Sequence, residues 1–102
     1  MTNKSYAFHS KVWMYPGKAA WHFVTIPQEI SQDLKLKYGN LSRGWGSIPV
    51  NVTLINNSWN TSIFPDKKSN SYLLPIKKSI RLSEDIVDGD MIAVELGILL
   101  WL

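Results

Sequence analysis

The sequence has no cysteine, only two histidines, and few charges for its length: 19% of its 102 residues are Asp, Glu, Lys or Arg. Without thiols there is no disulfide framework, no thiolate metal site and no cysteine nucleophile, and the composition fits a reducing compartment such as the cytoplasm. Long apolar runs are also absent. Residues 98–102 form the longest late stretch, far below the roughly 18 residues a membrane helix needs, and the opening MTNKSYAF lacks the apolar core of a signal peptide. No Gly-x-Ser-x-Gly elbow, phosphate-binding glycine loop or dinucleotide fingerprint occurs, so nothing in the sequence proposes an enzyme or a cofactor.

What is present is a 45% hydrophobic share, enough for one core in one domain spanning residues 1–102. Eleven Lys and Arg against eight Asp and Glu leave a net charge of +3, a mild lean toward anionic partners. Phe8, Ser10, Val12 and Met14 alternate with His9, Lys11 and Trp13, the period of a strand. Tyr15-Pro16-Gly17-Lys18 turns the chain, and residues 21–26 return as a second strand. The expected register sets Met14 against Trp21, Val12 against Phe23 and Ser10 against Thr25. That arrangement places His22 opposite Trp13 and His9 opposite Ile26, apart on the outer face.

Pro27-Gln28-Glu29 opens a helix whose buried face carries Ile30, Leu34 and Tyr38, closed by Gly39-Asn40. Ile48, Val50, Val52 and Leu54 start a second hairpin, turned at Asn56-Asn57, with Leu54/Trp59, Val52/Thr61 and Val50/Ile63 paired inward. Asn51, Thr53, Asn60 and Ser62 then share a polar outer face. Residues 65–71 read as a mobile loop, 72–74 as a fifth strand, and 75–86 as containing a second short helix. Asp88-Gly89-Asp90 turns into a last strand from Met91 to about Leu100. The expected fold is mainly β: a closed or nearly closed six-stranded barrel with two short helices, in the order ββαβββαβ. Strand, proline, helix and strand recur in both halves, with Leu34 and Leu82 equally spaced from Pro27 and Pro75, which suggests a pseudo-twofold duplication.

Arg43-Gly44-Trp45-Gly46-Ser47-Ile48, Trp59-x-Thr61-Ser62-Ile63-Phe64-Pro65, Tyr72-x-Leu74-Pro75-x-Lys77-Lys78 and Gly89-Asp90 form an ordered set, with Phe8, Trp21-x-Phe23-Val24 and Pro27 before it. Together they resemble the bacterial proteins catalogued as domain of unknown function 1905, over nearly the whole chain. The resemblance implies a small closed β-barrel and no assigned activity. A shorter stretch, Leu74-Pro75-x-Lys77-x-x-x-Arg81 through Val94, is similar to the proline, helix, Gly-Asp, strand unit of AbrB-type transition-state regulators. Those proteins bind DNA as swapped dimers, which implies nucleic-acid binding as an alternative.

Arg43 and Trp45 between glycines suit a guanidinium that holds an anion beside an indole that stacks on a ring; alternatively, the glycines turn the chain and Trp45 caps a barrel end. Lys77, Lys78 and Arg81, with Lys67 and Lys68 upstream, suit a small anionic or aromatic ligand, a protein partner or single-stranded nucleic acid stacked on Trp45 or Tyr72. A solvated helix face is the plainer account, because Asp66, Glu84, Asp85, Asp88 and Asp90 interrupt the positive field. Asp88 and Asp90 supply too few oxygens for a calcium loop, and the histidines are too far apart for a shared metal, so none is expected. Leu99 and Trp101 make the outer face of the last strand apolar, as a homodimer contact or a contact within the chain requires.

Overall fold

Alternation of branched aliphatic and polar residues is what closes this chain into a barrel. The computed structural model describes residues 5–17, 21–42 and 44–100. Its strands are β1 (Ser5–Met14), β2 (His22–Thr25), β3 (Ile48–Thr53), β4 (Ser58–Asp66), β5 (Ser71–Pro75) and β6 (Met91–Ile98), with helices α1 (Gln28–Tyr38) and α2 (Lys78–Glu84). The order is the expected ββαβββαβ. All neighbours are antiparallel, and the strands close in the cyclic order β1-β2-β5-β4-β3-β6.

Every second residue points inward. Phe8 and Val12, Val24, Leu74, Ile63, Val50 and Val52, and Val94 and Leu96 are all buried in one cluster. The interior of so small a barrel is narrow and suits such side chains. α1 begins directly after Pro27, sends Ser31, Leu34 and Tyr38 into the core, and has Glu29 in its first turn and Lys35 and Lys37 in its last, as the helix dipole favours.

The cyclic order maps onto itself, read in reverse, when β1 is exchanged with β4, β2 with β5 and β3 with β6. The two ββαβ halves are thus consistent with a twofold axis across the barrel. α1 leaves from the end of β2 and α2 from the end of β5, so the helices lie at opposite ends. The matched pair proposed from spacing does not hold: Leu34 is buried, whereas Leu82 is 73% exposed and Ile80 is the buried residue of α2. Pro75 ends β5 two residues before Lys77, the residue that precedes α2, whereas Pro27 itself precedes α1, so proline-based spacing misaligns the halves.

Both expected hairpin registers are displaced. In the first, Val12 faces Val24, Trp13 faces Phe23 and Met14 faces His22. This one-residue shift sends Val24 and Ile26 inward and turns Trp21 and Phe23 out onto Trp13 and Tyr15. Branched side chains of β2 take the narrow interior, and the rings of Trp13, Tyr15, Trp21 and Phe23 collect outside it. His9 pairs with Ala93 of β6 and not with Ile26.

In the second hairpin Val52 faces Trp59, Val50 faces Thr61 and Ile48 faces Ile63, a two-residue slip that keeps the same faces. The turn centres on Ile55-Asn56, because Leu54 N–H donates to the Asn57 carbonyl (2.8 Å). Glu84 at the end of α2 fixes this tip by accepting from Asn56 N–H (2.8 Å) and Asn57 Nδ2 (2.7 Å). Residues 65–71 are not one loop: β4 runs to Asp66 and β5 starts at Ser71. The four residues between them make a turn in which Asp66 Oδ2 accepts from the Ser69 amide and hydroxyl.

Candidate functional site

Two strand pairs in the barrel are joined over only part of their length. β1 pairs with β2 through residues 12–14 alone, and β4 pairs with β5 through residues 64–66 alone. The rest of each long strand is paired on its other side, to β6 and β3. The pseudo-twofold exchanges these two seams.

The first seam is bridged by side chains. Ser10 Oγ donates to the Thr25 carbonyl (2.8 Å), and Trp13 Nε1 donates to Thr25 Oγ1 (2.9 Å). The second seam stays open, for a reason visible in backbone direction. Ile26 N–H donates to the Tyr72 carbonyl and Ile76 N–H to the His22 carbonyl, so the even residues of this strand serve β2. Because direction alternates along a strand, the odd residues turn toward β4. Leu73 pairs with Phe64; the next in line is Pro75, which has no N–H to offer Ser62, and the ladder ends there.

Along this open seam lies a cavity of about 390 Å³. Trp21, Phe23 and Trp59 supply its rings, Pro75 and Ile76 its aliphatic surface, and Lys77, Lys78 and Arg81 its charges. Among the described residues no carboxylate lines it, and half-buried His22 does. A volume of this size, apolar walls and a few polar groups are the usual attributes of a small-ligand site.

Phe23 organises the rings. Its centroid is 5.3 Å from Trp13, 6.0 Å from Trp21 and 6.1 Å from Tyr15, all in tilted or edge-on geometries that aromatic pairs prefer. Phe23 itself is buried by the cluster, whereas Trp21 remains 63% exposed and offers a ring to a ligand. Arg81 is anchored by its Nε, which donates to the Ile76 carbonyl (3.2 Å). Lys77 and Lys78 are exposed at the start of α2, a helix with no acid in its first turn and with Arg81 and Glu84 in its last. Cations at a helix N-terminus oppose the dipole, so these two lysines do not stabilise α2.

The structure brings Lys77, Lys78 and Arg81 together and separates them from Trp45. Trp45 is 93% exposed, with φ of +66° between Gly44 and Gly46, so it does not cap the barrel end. Gly46 combines φ of +76° with a position where a Cβ would lie 3.0 Å from Pro65 Cγ; a larger residue is opposed by both. This loop flanks a different cavity of about 350 Å³, at the α1 end, where Lys35, Lys67, Asp66 and buried Tyr72 mix charges of both signs. Tyr72 is therefore not a stacking platform beside Lys77 and Arg81. Arg43 lies outside the described residues, as does Trp101; Leu99 is 39% exposed and its neighbour Leu100 is buried.

The Asp88-Gly89-Asp90 carboxylates serve the backbone: Asp88 Oδ1 accepts from Met14 N–H and Asp90 Oδ2 from Val87 N–H, both at 2.9 Å. Among the described residues no three metal-ligating side chains gather, and no helix is long and apolar enough to cross a membrane. Trp21, Phe23, Trp59 and His22 are the lining residues that sequence reasoning did not assign to a site. The expected register sent the three rings to the core; Trp59 keeps that face and is only half-buried, whereas Trp21 and Phe23 turn out with the one-residue shift of β2, and only the excess of large rings over a narrow interior signals it.

A family model described as Domain of unknown function (DUF1905) matches residues 8–96. No curated protein matches the chain. The segment similar to AbrB-type regulators comprises β5, α2 and β6, and these two strands are not neighbours in the barrel.

Proposed function

The chain belongs to the DUF1905 family, whose description names no activity, and from that premise we propose that it is a binding domain for a small anionic aromatic ligand held in the seam between β4 and β5. The observation that carries the reading is the cavity's lining: three aromatic rings and three cationic side chains, with no carboxylate among the described lining residues. Rings supply apolar contact and stacking for a flat ligand, and the cations supply the charge preference. The run of cations is short. Glu84 and Asp85 follow on α2 and line a separate cavity with Asp90, which favours a compact anion over a long polyanion such as single-stranded nucleic acid. The reading places the protein in the cytoplasm and includes self-association through the exposed side chain of Leu99, which a drop in sedimenting mass in Leu99→Asp supports and a monomeric wild type overturns.

Phenylacetate is a suitable probe, with phenylacetamide as its uncharged counterpart. In NMR titrations of the wild type, phenylacetate shifts the indole N–H signals of Trp21 and Trp59. The amide binds roughly tenfold more weakly, since two or three solvent-screened cations at about 0.5 kcal/mol each amount to that factor. Lys77→Gln with Lys78→Gln narrows the difference. Unshifted indole signals at millimolar phenylacetate refute the reading; steep, salt-sensitive binding of an oligothymidylate in its place favours nucleic acid.

A further inference from the structure

We propose that the seam takes its ligand as a strand: a short extended peptide ending in an aromatic residue with a free C-terminal carboxylate, hydrogen-bonded along β4. This rests on the ligand reading above and names the ligand class for the same cavity.

The argument begins with the direction of the β4 backbone. Leu54 N–H donates to the Asn57 carbonyl, which sets the phase of the β3–β4 ladder. In that phase residues 59, 61 and 63 exchange hydrogen bonds with β3, while Asn60 and Ser62 turn their N–H and C=O groups the other way. The other way is the open seam. The ladder to β5 begins only at Phe64↔Leu73, and Pro75 prevents its continuation toward Ser62. Asn60 and Ser62 thus present a length of strand edge inside an otherwise closed barrel, and an edge of this kind is a template for an added strand.

What surrounds the edge defines the occupant. An extended chain laid on β4 meets the rings of Trp21 and Trp59 and the cations of Lys77 and Arg81, all in the lining of this cavity. Apolar rings beside the edge select an aromatic side chain. Cations with no carboxylate among the described lining residues select a negative terminus, by charge complementarity. The cavity's 390 Å³ limits the occupant to a few residues. The symmetry-related seam shows the contrast: there Ser10 bonds the Thr25 carbonyl, so a side chain already occupies that backbone acceptor.

The test uses the wild-type protein and four probes: acetyl-Thr-Val-Phe with a free carboxylate, its C-terminal amide, the same peptide N-methylated along its backbone, and phenylacetate. Affinity is read by calorimetry, and hydrogen exchange at the Asn60 and Ser62 amides by NMR. The free-acid peptide is expected to bind about tenfold more tightly than either altered peptide, a difference of about 1.4 kcal/mol. It is also expected to slow exchange at the Asn60 and Ser62 amides by at least about tenfold, while phenylacetate leaves them fast. If phenylacetate binds but the N-methylated peptide binds as well as its parent, or the two amides stay unprotected, the strand-addition proposal fails and the ligand reading stands. If neither phenylacetate nor peptide binds, both fail together.

Discussion

Ser31 occupies a position where one hydroxyl group stands in for a backbone hydrogen bond. Tyr72 N–H donates to Ser31 Oγ (3.0 Å), and Ser31 Oγ donates to the Ile26 carbonyl (3.1 Å). In an ordinary ladder Tyr72 N–H goes straight to Ile26, whose own N–H already donates to the Tyr72 carbonyl. The hydroxyl is thus inserted between β2 and β5 from α1, and it pins helix to barrel. Ser31→Ala removes both hydrogen bonds and leaves a buried amide and carbonyl unpaired, together about 2 to 3 kcal/mol. Alanine's better helix propensity returns about 0.5 kcal/mol. The net loss is about 2 kcal/mol, a large fraction of the stability of a domain of this size, and it lowers Tm by roughly 10 °C. Calorimetric melting of Ser31→Ala beside Ser79→Ala, an exposed serine of α2 expected to change little, checks the value. Amide exchange at Tyr72 checks the cause. A Tm within about 2 °C of the wild type, or a Tyr72 amide still protected through direct pairing with Ile26, refutes the reasoning.

Tyr6 donates to Asp33 Oδ2 (2.6 Å), and burial first, then this bond, holds its phenol above the ordinary value of 10.0. The folded chain therefore keeps a proton that the unfolded chain releases, so this contribution is complete below pH 10 and is lost as pH rises beyond it. Urea midpoints across the alkaline range fall less steeply in Tyr6→Phe than in the wild type, with a residual slope from Tyr72, also raised by burial; equal slopes count against the argument. The Tyr38 hydroxyl is buried with no hydrogen-bond partner among the described residues, so Tyr38→Phe leaves stability unchanged or raises it by roughly 1 kcal/mol. A loss above about 1 kcal/mol in denaturant titration reveals a partner for that oxygen. Trp45→Ala changes stability by less than about 0.5 kcal/mol, as an exposed residue should; a loss of the roughly 3 to 5 kcal/mol typical of a buried ring restores the idea that Trp45 plugs the barrel.

The strands, the first helix and the barrel itself were legible because they rest on periodicity. Phe8 to Val12 and Ile48 to Val52 alternate in sequence and alternate in burial. Register was less legible, and the two errors had unequal consequences. A slip of two in the β3–β4 hairpin left every side chain on its expected face, because the period is two. The shift of one in the β1–β2 hairpin reversed the faces of β2 and with them the fate of Trp21 and Phe23. Nothing within residues 5–26 decides between those registers; the competition of Val24 and Ile26 with the rings for a narrow interior does. The displaced turn at Ile55-Asn56 has a similar origin, since Glu84, nearly thirty residues away, holds it.

Pro75 shows why the site itself escaped sequence reasoning. Beside Lys77 and Lys78 it reads as the start of a helix, and α2 does follow. Its larger effect lies on the other side of the chain, in the hydrogen bond it cannot give to Ser62. Pro49 makes a useful comparison. It faces β6, where it accepts from Leu99 N–H (3.0 Å), at the limit of that ladder, and its missing N–H opens no comparable seam in the barrel wall. Two prolines in strands thus differ in consequence through direction and place in the ladder, properties that appear only once the register of three strands is known. The cations of α2 acquire a partner surface by the same route. Lys77 and Lys78 resemble an ordinary solvated helix face until the break in the wall sets them in one cavity lining with Trp21 and Trp59, the arrangement on which the proposed binding of an aromatic anion rests.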